Sequence, residues 1–425
     1  MGAAAGSRMS WTPPPRPRFV ERLIAHGEAV GGAAHLVSLD GDELMDTTRR
    51  ATGLDDFGGD GWRPHFDVFL RALEDESRLH LLGRVLVRTE ILLALRNRLE
   101  LAALWKQHPE WLSEPVTAPT FIVGSPRSGT SILHELMACD PASRAPAMWE
   151  MQHPAVSVSG GDASDVADRV TQFWHDLQPE YETMHANSGH LPNECIFITL
   201  HEFLSDHWGG NHVVPSYDAH LRTVDHRPAY AYHKRFLQTL QTRPGPRRWL
   251  LKAPSHLFQL PALLAVYPDA RIVRTHRDPL KTLPSAVSLL GTLKWMRCER
   301  VDMERVPLLM ALGYAGLYRQ EIDRRASGEL PDDRFIDVTF DRLVADPAGA
   351  VGRVYEQLGW PFDDSVRARV AAYADAKPKD SRGPHRYSLE AVGLERSALR
   401  EHFAFYMERF GIAEEDTSAG GREDR

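Results

Sequence analysis

The stretch Phe121-Ile-Val-Gly-Ser-Pro-Arg-Ser-Gly-Thr-Ser-Ile-Leu133 reads as a buried strand, a glycine-bounded loop and the start of a helix, which is the build of a phosphate cradle. Gly124 and Gly129 have four residues between them, as the two glycines of a P-loop do, and Ser131 falls on its hydroxyl position. Thr130 falls where a P-loop lysine belongs, and a phosphoryl-transfer enzyme needs that lysine on the terminal phosphates. Arg127 is the remaining cation of the loop. The free N–H groups and partial positive charge of a helix N-terminus still suit the loop to one anionic group carried by a nucleotide.

Outward from this loop, short β-branched or aromatic runs alternate with helical patterns: Phe121 to Val123, Trp249 to Leu251, Arg271 to Thr275 and Phe335 to Phe340. Such alternation predicts an α/β fold, a P-loop-like, mainly parallel sheet flanked by helices. Before it, residues 19–117 form an N-terminal helical extension. Leu79, Leu82, Gly83, Leu86, Val87, Ile91, Leu92, Leu95 and Leu99 recur there at three- and four-residue intervals. The extension reads as a cap or dimer surface over an acceptor pocket or as packing against the main sheet, and the second reading is favoured. Residues 1–18 are a Pro-rich, flexible leader, 118–412 the α/β domain with a helical insertion at 150–235, and 413–425 a polar tail; neither end is expected to carry chemistry.

The balance of 50 basic against 58 acidic residues gives a formal charge of −8 and argues against a nucleic-acid partner. Cys139, Cys195 and Cys298 are few and widely spaced, so neither a disulfide framework nor a thiolate metal site is expected, and the default compartment is the cytoplasm. No run approaches the about 18 apolar residues of a membrane span. The insertion is rich in histidine, but His201-Glu-Phe-Leu-Ser-Asp-His207 lacks zinc-helix spacing and no metal is expected. Its histidines and aromatics line an amphipathic acceptor pocket or sit satisfied on helix surfaces.

A second constellation lies downstream. Trp249-Leu-Leu-Lys-Ala-Pro-Ser-His256 ends a strand on Lys252 and places His256 on the next turn, where open α/β sheets keep their working residues. Another strand leads to Arg277, and eight residues on comes Ser285, directly behind Pro284. Proline suits a first helical turn, so Pro284 is predicted to start a helix and Ser285 to lie in its first turn, where cation and hydroxyl converge on a second phosphate.

These residues together resemble the nucleotide-dependent sulfotransferases, in their divergent bacterial-type branch. Gly124-Ser-Pro-Arg-Ser-Gly-Thr130 resembles the family's loop for the 5′-phosphosulfate of 3′-phosphoadenosine-5′-phosphosulfate. Arg277 with Ser285 resembles its 3′-phosphate site, and the likeness runs over about residues 118 to 410. The cytosolic enzymes carry lysine where this chain has Arg127. The resemblance implies a donor cradle of Arg127, Ser128, Gly129, Thr130 and Ser131, with Arg127 and Lys252 neutralising charge on the bridging oxygen. It implies no metal. His256 is the first choice of general base and Glu194, in Leu191-Pro-Asn-Glu-Cys195, its competitor. Arg382 and Gly383 resemble the segment that closes over the 3′-phosphate. The expected activity is transfer of a sulfuryl group to a hydroxyl of a small-molecule, lipid or glycan acceptor, with a homodimer open; a catalytically inactive nucleotide-binding module or a P-loop kinase are the alternatives.

Overall fold

The computed structural model describes residues 11–184, 187–377 and 388–415 of the chain, so Arg382 and Gly383 lie outside the described residues. Its centre is a five-stranded sheet of β1 (Thr120–Gly124), β2 (Ser143–Arg144), β3 (Arg248–Lys252), β4 (Arg271–His276) and β5 (Phe335–Thr339). The order is β2-β3-β1-β4-β5 and every pairing is parallel. The four strands read from sequence are present within a residue or so; β2 is too short to leave a pattern.

All five β1 residues are buried, as befits the middle of a parallel sheet. Side chains alternate between its two faces. Phe121, Val123, Trp249, Leu251, Ile272 and Phe335 share one core, while Ile122, Leu250, Val273, Ile336 and Val338 share the other with Leu133 and Leu136 of the helix after β1. The chain builds β2 and β3 on one side of β1 and β4 and β5 on the other. This topological switch opens a crevice beyond the carboxyl end of β1, where the glycine-bounded loop emerges.

The N-terminal extension holds a third core, shared with the insertion. Phe66, Phe69, Val87, Ile91 and Leu95 pack with Phe203, Trp208, Val214 and Tyr217. The end of the long helix Leu81–Gln107, through Leu101 and Trp105, and Leu112 and Val116 after it reach the sheet core. The extension thus differs from the favoured reading of it. The insertion's helices, such as Ile196–Thr199 and Asp206–Asn211, are too short to persist alone, and the extension supplies their apolar partner. The described end of the Pro-rich leader is also packed: the Trp295 indole donates to the Pro14 carbonyl at 2.9 Å, and the Arg16 guanidinium lies 3.4 Å from the centre of the Trp295 ring. A cation on an aromatic face offsets the disorder that composition alone suggests.

Buried ion pairs join the extension to the α/β domain, among them Arg98 with Glu202 and Arg297 with Glu90. The fully buried Arg297 donates to Glu90 of the long helix at 2.9 Å and lies 4.4 Å from the Trp174 ring centre. Burial raises the Glu90 pKa, but the charges of Arg297 and His207 outweigh it and hold the carboxyl down to about 2, from an ordinary value of 4.5. A folded-state pKa below the unfolded one gives stability that is complete above about pH 4.5 and is lost as pH falls through about 2. Glu90→Gln is expected to cost about 3 kcal/mol near pH 7, by leaving Arg297 buried without a counter-charge. That deficit should shrink in urea titrations repeated at pH 3.

Candidate active site

The loop after β1 owes its position to a close approach. A Cβ on Gly124 would stand 2.2 Å from Thr275 Oγ1 and 2.6 Å from Ser128 Oγ, so only glycine lets β1 and β4 meet here. Gly129, at φ 97°, caps the helix Thr130–Ala138, and a Cβ there would meet Phe340 at 2.8 Å. Arg127 itself sits at φ 71°, a left-handed conformation that costs a non-glycine residue about 1–3 kcal/mol. The first N–H groups of the helix, with no carbonyl one turn behind them, face a cavity of about 260 Å³. Arg127, Gly129, Thr130, Ser131, Arg277 and Phe340 are among its lining residues.

The predicted donor-site residues converge. Arg127 Nε donates to Ser285 Oγ at 3.0 Å and its Nη1 to the Met184 carbonyl at 2.8 Å. Arg277 donates to the Arg127 carbonyl at 3.0 Å and lies 3.8 Å from the centre of the Phe340 ring. The route to Ser285 differs from expectation. Its helix begins at Pro279, capped by Asp278, and runs to Trp295, so Pro284 lies inside it and Ser285 in the second turn. Two prolines compete for the start, and the first, directly behind an Asp cap, wins; Pro284 simply has no N–H to offer the Leu280 carbonyl. Ser128 also differs. Its hydroxyl is turned inward, to the Ser125 carbonyl and Thr275 Oγ1, both at 2.7 Å, and its N–H bonds the Ser125 carbonyl. It latches the loop rather than facing the cavity.

On the other side of the loop, Lys252 Nζ, at the end of β3, donates to Glu194 Oε1 at 2.8 Å and to Ser131 Oγ at 3.2 Å. Glu194 is held there by backbone, since the neighbouring Cys195 N–H donates to the Lys252 carbonyl at 2.8 Å. His256, the first choice of base, is not in this group. After Pro254 the chain turns into a short 3₁₀ helix that sends the ring into the core, edge-on to Phe121, with Nδ1 2.8 Å from the Tyr230 hydroxyl. Burial lowers its pKa well below the ordinary imidazole range, and the nearby His233 and Lys252 add to the shift. Four histidines of the insertion are also turned inward. His201, His212, His226 and His233 are buried, and each bonds a carbonyl or a tyrosine hydroxyl.

Sequence reasoning passed over four participants. Met184 offers a carbonyl and Phe340 a ring, neither of which leaves a signal. Asp206 accepts a hydrogen bond from Ser255, three residues beyond Lys252. It is open to solvent on one side, yet the surrounding protein pushes its pKa up to about 6, with the negative charges of Asp218 and Glu194 adding to the rise. The fourth, Glu415, pairs with Arg277 through two contacts at 2.7 and 2.8 Å. Among the described residues no group of three or more His, Cys, Asp or Glu is arranged to hold a metal, and no helix is long and apolar enough to cross a membrane.

Residues 119–364 match the sulfotransferase family, and the chain belongs to it. Two mycobacterial relatives, the omega-hydroxy-beta-dihydromenaquinone-9 sulfotransferases Stf3 of Mycobacterium bovis and Mycobacterium tuberculosis, are each 26% identical over 69% of this chain and 75% of their own. Two crystal structures are similar. Sulfotransferase STF1 from Mycobacterium tuberculosis H37Rv has a TM-score of 0.73 at 30% identity, over 86% of this chain and 98% of its own. Sulfotransferase STF9 from Mycobacterium avium has 0.75 at 28%, over 88% and 97%.

The inward turn of Ser128 has a measurable consequence. Ser128→Ala is expected to cost about 1–3 kcal/mol in a urea titration, because it removes two buried hydrogen bonds, one within the loop and one from the loop to β4. Ser131→Ala, on the cavity wall, should leave stability within about 1 kcal/mol.

Proposed function

We propose that this sulfotransferase takes the sulfuryl group from 3′-phosphoadenosine-5′-phosphosulfate and passes it to a hydroxyl of a lipid-like acceptor. The supporting observation is the meeting, around one helix N-terminus, of Arg127, Ser285 and Arg277 on one side and the Lys252–Glu194 pair on the other. The helix N–H groups and Ser131 would receive the 5′-phosphate, and Arg277 with Ser285 the 3′-phosphate.

Transfer is then a displacement at sulfur. The acceptor oxygen forms the new S–O bond, the bond to the bridging oxygen breaks, and adenosine 3′,5′-bisphosphate leaves. Lys252 and Arg127 offset charge growing on that oxygen. Glu194 takes the acceptor's proton, because it stands beside Lys252 at the loop while the His256 ring lies in the core.

A lipid-like acceptor draws on the relatives named for a hydroxylated menaquinone and on the surface beside the site. Phe258, on the turn after Lys252, is 44% exposed and lies 5.6 Å from the Tyr314 ring. Leu308, Leu309 and Leu312, near the start of the helix that carries Tyr314, are half or more exposed.

Calorimetry without magnesium tests the donor half. Adenosine 3′,5′-bisphosphate is expected to bind, and Arg277→Ala to weaken it about 10- to 100-fold. Binding of ATP with magnesium in its place would replace this reading with phosphoryl transfer. For the chemical step, Glu194→Gln is expected to lower kcat about 10²–10⁴-fold while bisphosphate affinity changes little. His256→Gln should reduce stability and leave kcat within about tenfold; the reverse ranking would reinstate the histidine.

A further inference from the structure

The cation assigned to the 3′-phosphate is already occupied. Arg277 Nε and Nη2 donate to the two carboxylate oxygens of Glu415 at 2.7 and 2.8 Å, the side-by-side geometry in which a guanidinium also takes a phosphate. Both side chains are largely withdrawn from water, at 17% and 28% exposure. Glu415 is fastened by its backbone as well, because its N–H donates to Asp278 Oδ2 at 3.0 Å, and Asp278 caps the helix that carries Ser285.

The tail is aimed at this place by what precedes it. The C-terminal helix Arg396–Phe410 is anchored on His276, the neighbour of Arg277. Tyr406 shares a 3.0 Å hydrogen bond with the His276 ring, and Phe410 stacks on it at 4.0 Å. Gly411, at φ 61°, then ends the helix, with the Ile412 N–H returned to the Met407 carbonyl at 2.9 Å. Ile412 packs on the sheet core, and Glu414 pairs with Arg400 of the same helix. Each residue from 410 to 415 except Ala413 therefore has a specific contact that carries the chain back to Arg277.

We propose that Glu415 is a built-in competitor for the 3′-phosphate seat, so that a donor binds by displacing a carboxylate of the chain itself from Arg277. This rests on the reading of Arg277 as the 3′-phosphate cation. The contact acts only on ligands that reach Arg277, since an anion that does not reach it leaves Glu415 in place and bears no cost of displacing it. Competition lowers apparent donor affinity by the fraction of molecules in which the seat is closed.

The test compares the full chain with Glu415→Gln, titrating each by calorimetry with adenosine 3′,5′-bisphosphate and with adenosine 5′-phosphate, which lacks the 3′ group. Glu415→Gln is expected to bind the bisphosphate about fivefold or more tightly and the 5′-phosphate with unchanged affinity. Amide hydrogen exchange over residues 411–415 of the unaltered chain should quicken on saturation with bisphosphate and not with 5′-phosphate. Binding by the variant alone would be the strongest support. Equal bisphosphate affinity in the two chains, with Arg277→Ala still weakening it, would overturn the competitor and leave the donor site standing. If neither chain binds the bisphosphate, the donor reading fails and the competitor fails with it.

Discussion

Everything at the site depends on how closely the end of β1 approaches the end of β4. Gly124 pairs with Thr275, and the space where a Cβ would go is filled by the Thr275 and Ser128 hydroxyls. With β1 and β4 locked at this spacing, the loop cannot continue straight. It turns through Arg127 and Gly129, both at positive φ, and delivers the helix N-terminus over the crevice. Arg277, two residues beyond Thr275, is then bound to reach the loop, and it does so on the Arg127 carbonyl. A glycine and two hydroxyls thus set where an anion can sit before any cationic side chain is considered.

The charged groups around that position are balanced by the protein itself. Lys252 has Glu194, Arg277 has Glu415, and Arg127 has the Met184 carbonyl and the Ser285 hydroxyl. Bringing such cations together without partners would cost several kcal/mol through desolvation and mutual repulsion. Partners that hold the cations in place are also partners an incoming anion must replace. The net gain on binding is therefore smaller than a count of new contacts suggests. Affinity in a site of this kind rests on how well each outgoing partner is rehydrated or re-paired as much as on the ligand.

How much of this was legible in the sequence follows from whether a feature is local. The strands could be read because each is a short β-branched or aromatic run between helical patterns, and the loop because two glycines and a following hydroxyl stand at fixed intervals. Lys252 and Arg277 could be placed since a residue at or just beyond a strand end has little freedom in where it points, whereas Glu194 was suggested by the family resemblance alone. His256 lies only four residues beyond Lys252, but its direction depends on the turn that Pro254 begins and on the space among Phe121, Tyr230 and His233, which exists only once the sheet has formed. Ser285 was paired with Arg277 but bonds Arg127, and its helix starts one proline earlier than read, because local rules permit a start at either proline. Glu415 could not be read at all. An acidic residue in a polar tail resembles any solvated charge until the anchoring of Tyr406 and Phe410 on His276 determines where the tail emerges.

The pairing of Lys252 with Glu194 links the two halves of the proposed transfer. One ammonium group lies between the carboxylate and Ser131, and so between the groups assigned to the acceptor and to the donor phosphate. A lysine that shifts toward the phosphate as negative charge grows there leaves a carboxylate oxygen open to receive a proton, at the moment when the acceptor oxygen must lose one. In the proposed transfer the two events would stay in step, because the same cation would serve both sites in turn. A base further away, in the position His256 occupies, would have no such link. Its proton transfer would be independent of the charge on the leaving group, and Lys252 would be left holding a carboxylate with no part in the chemistry.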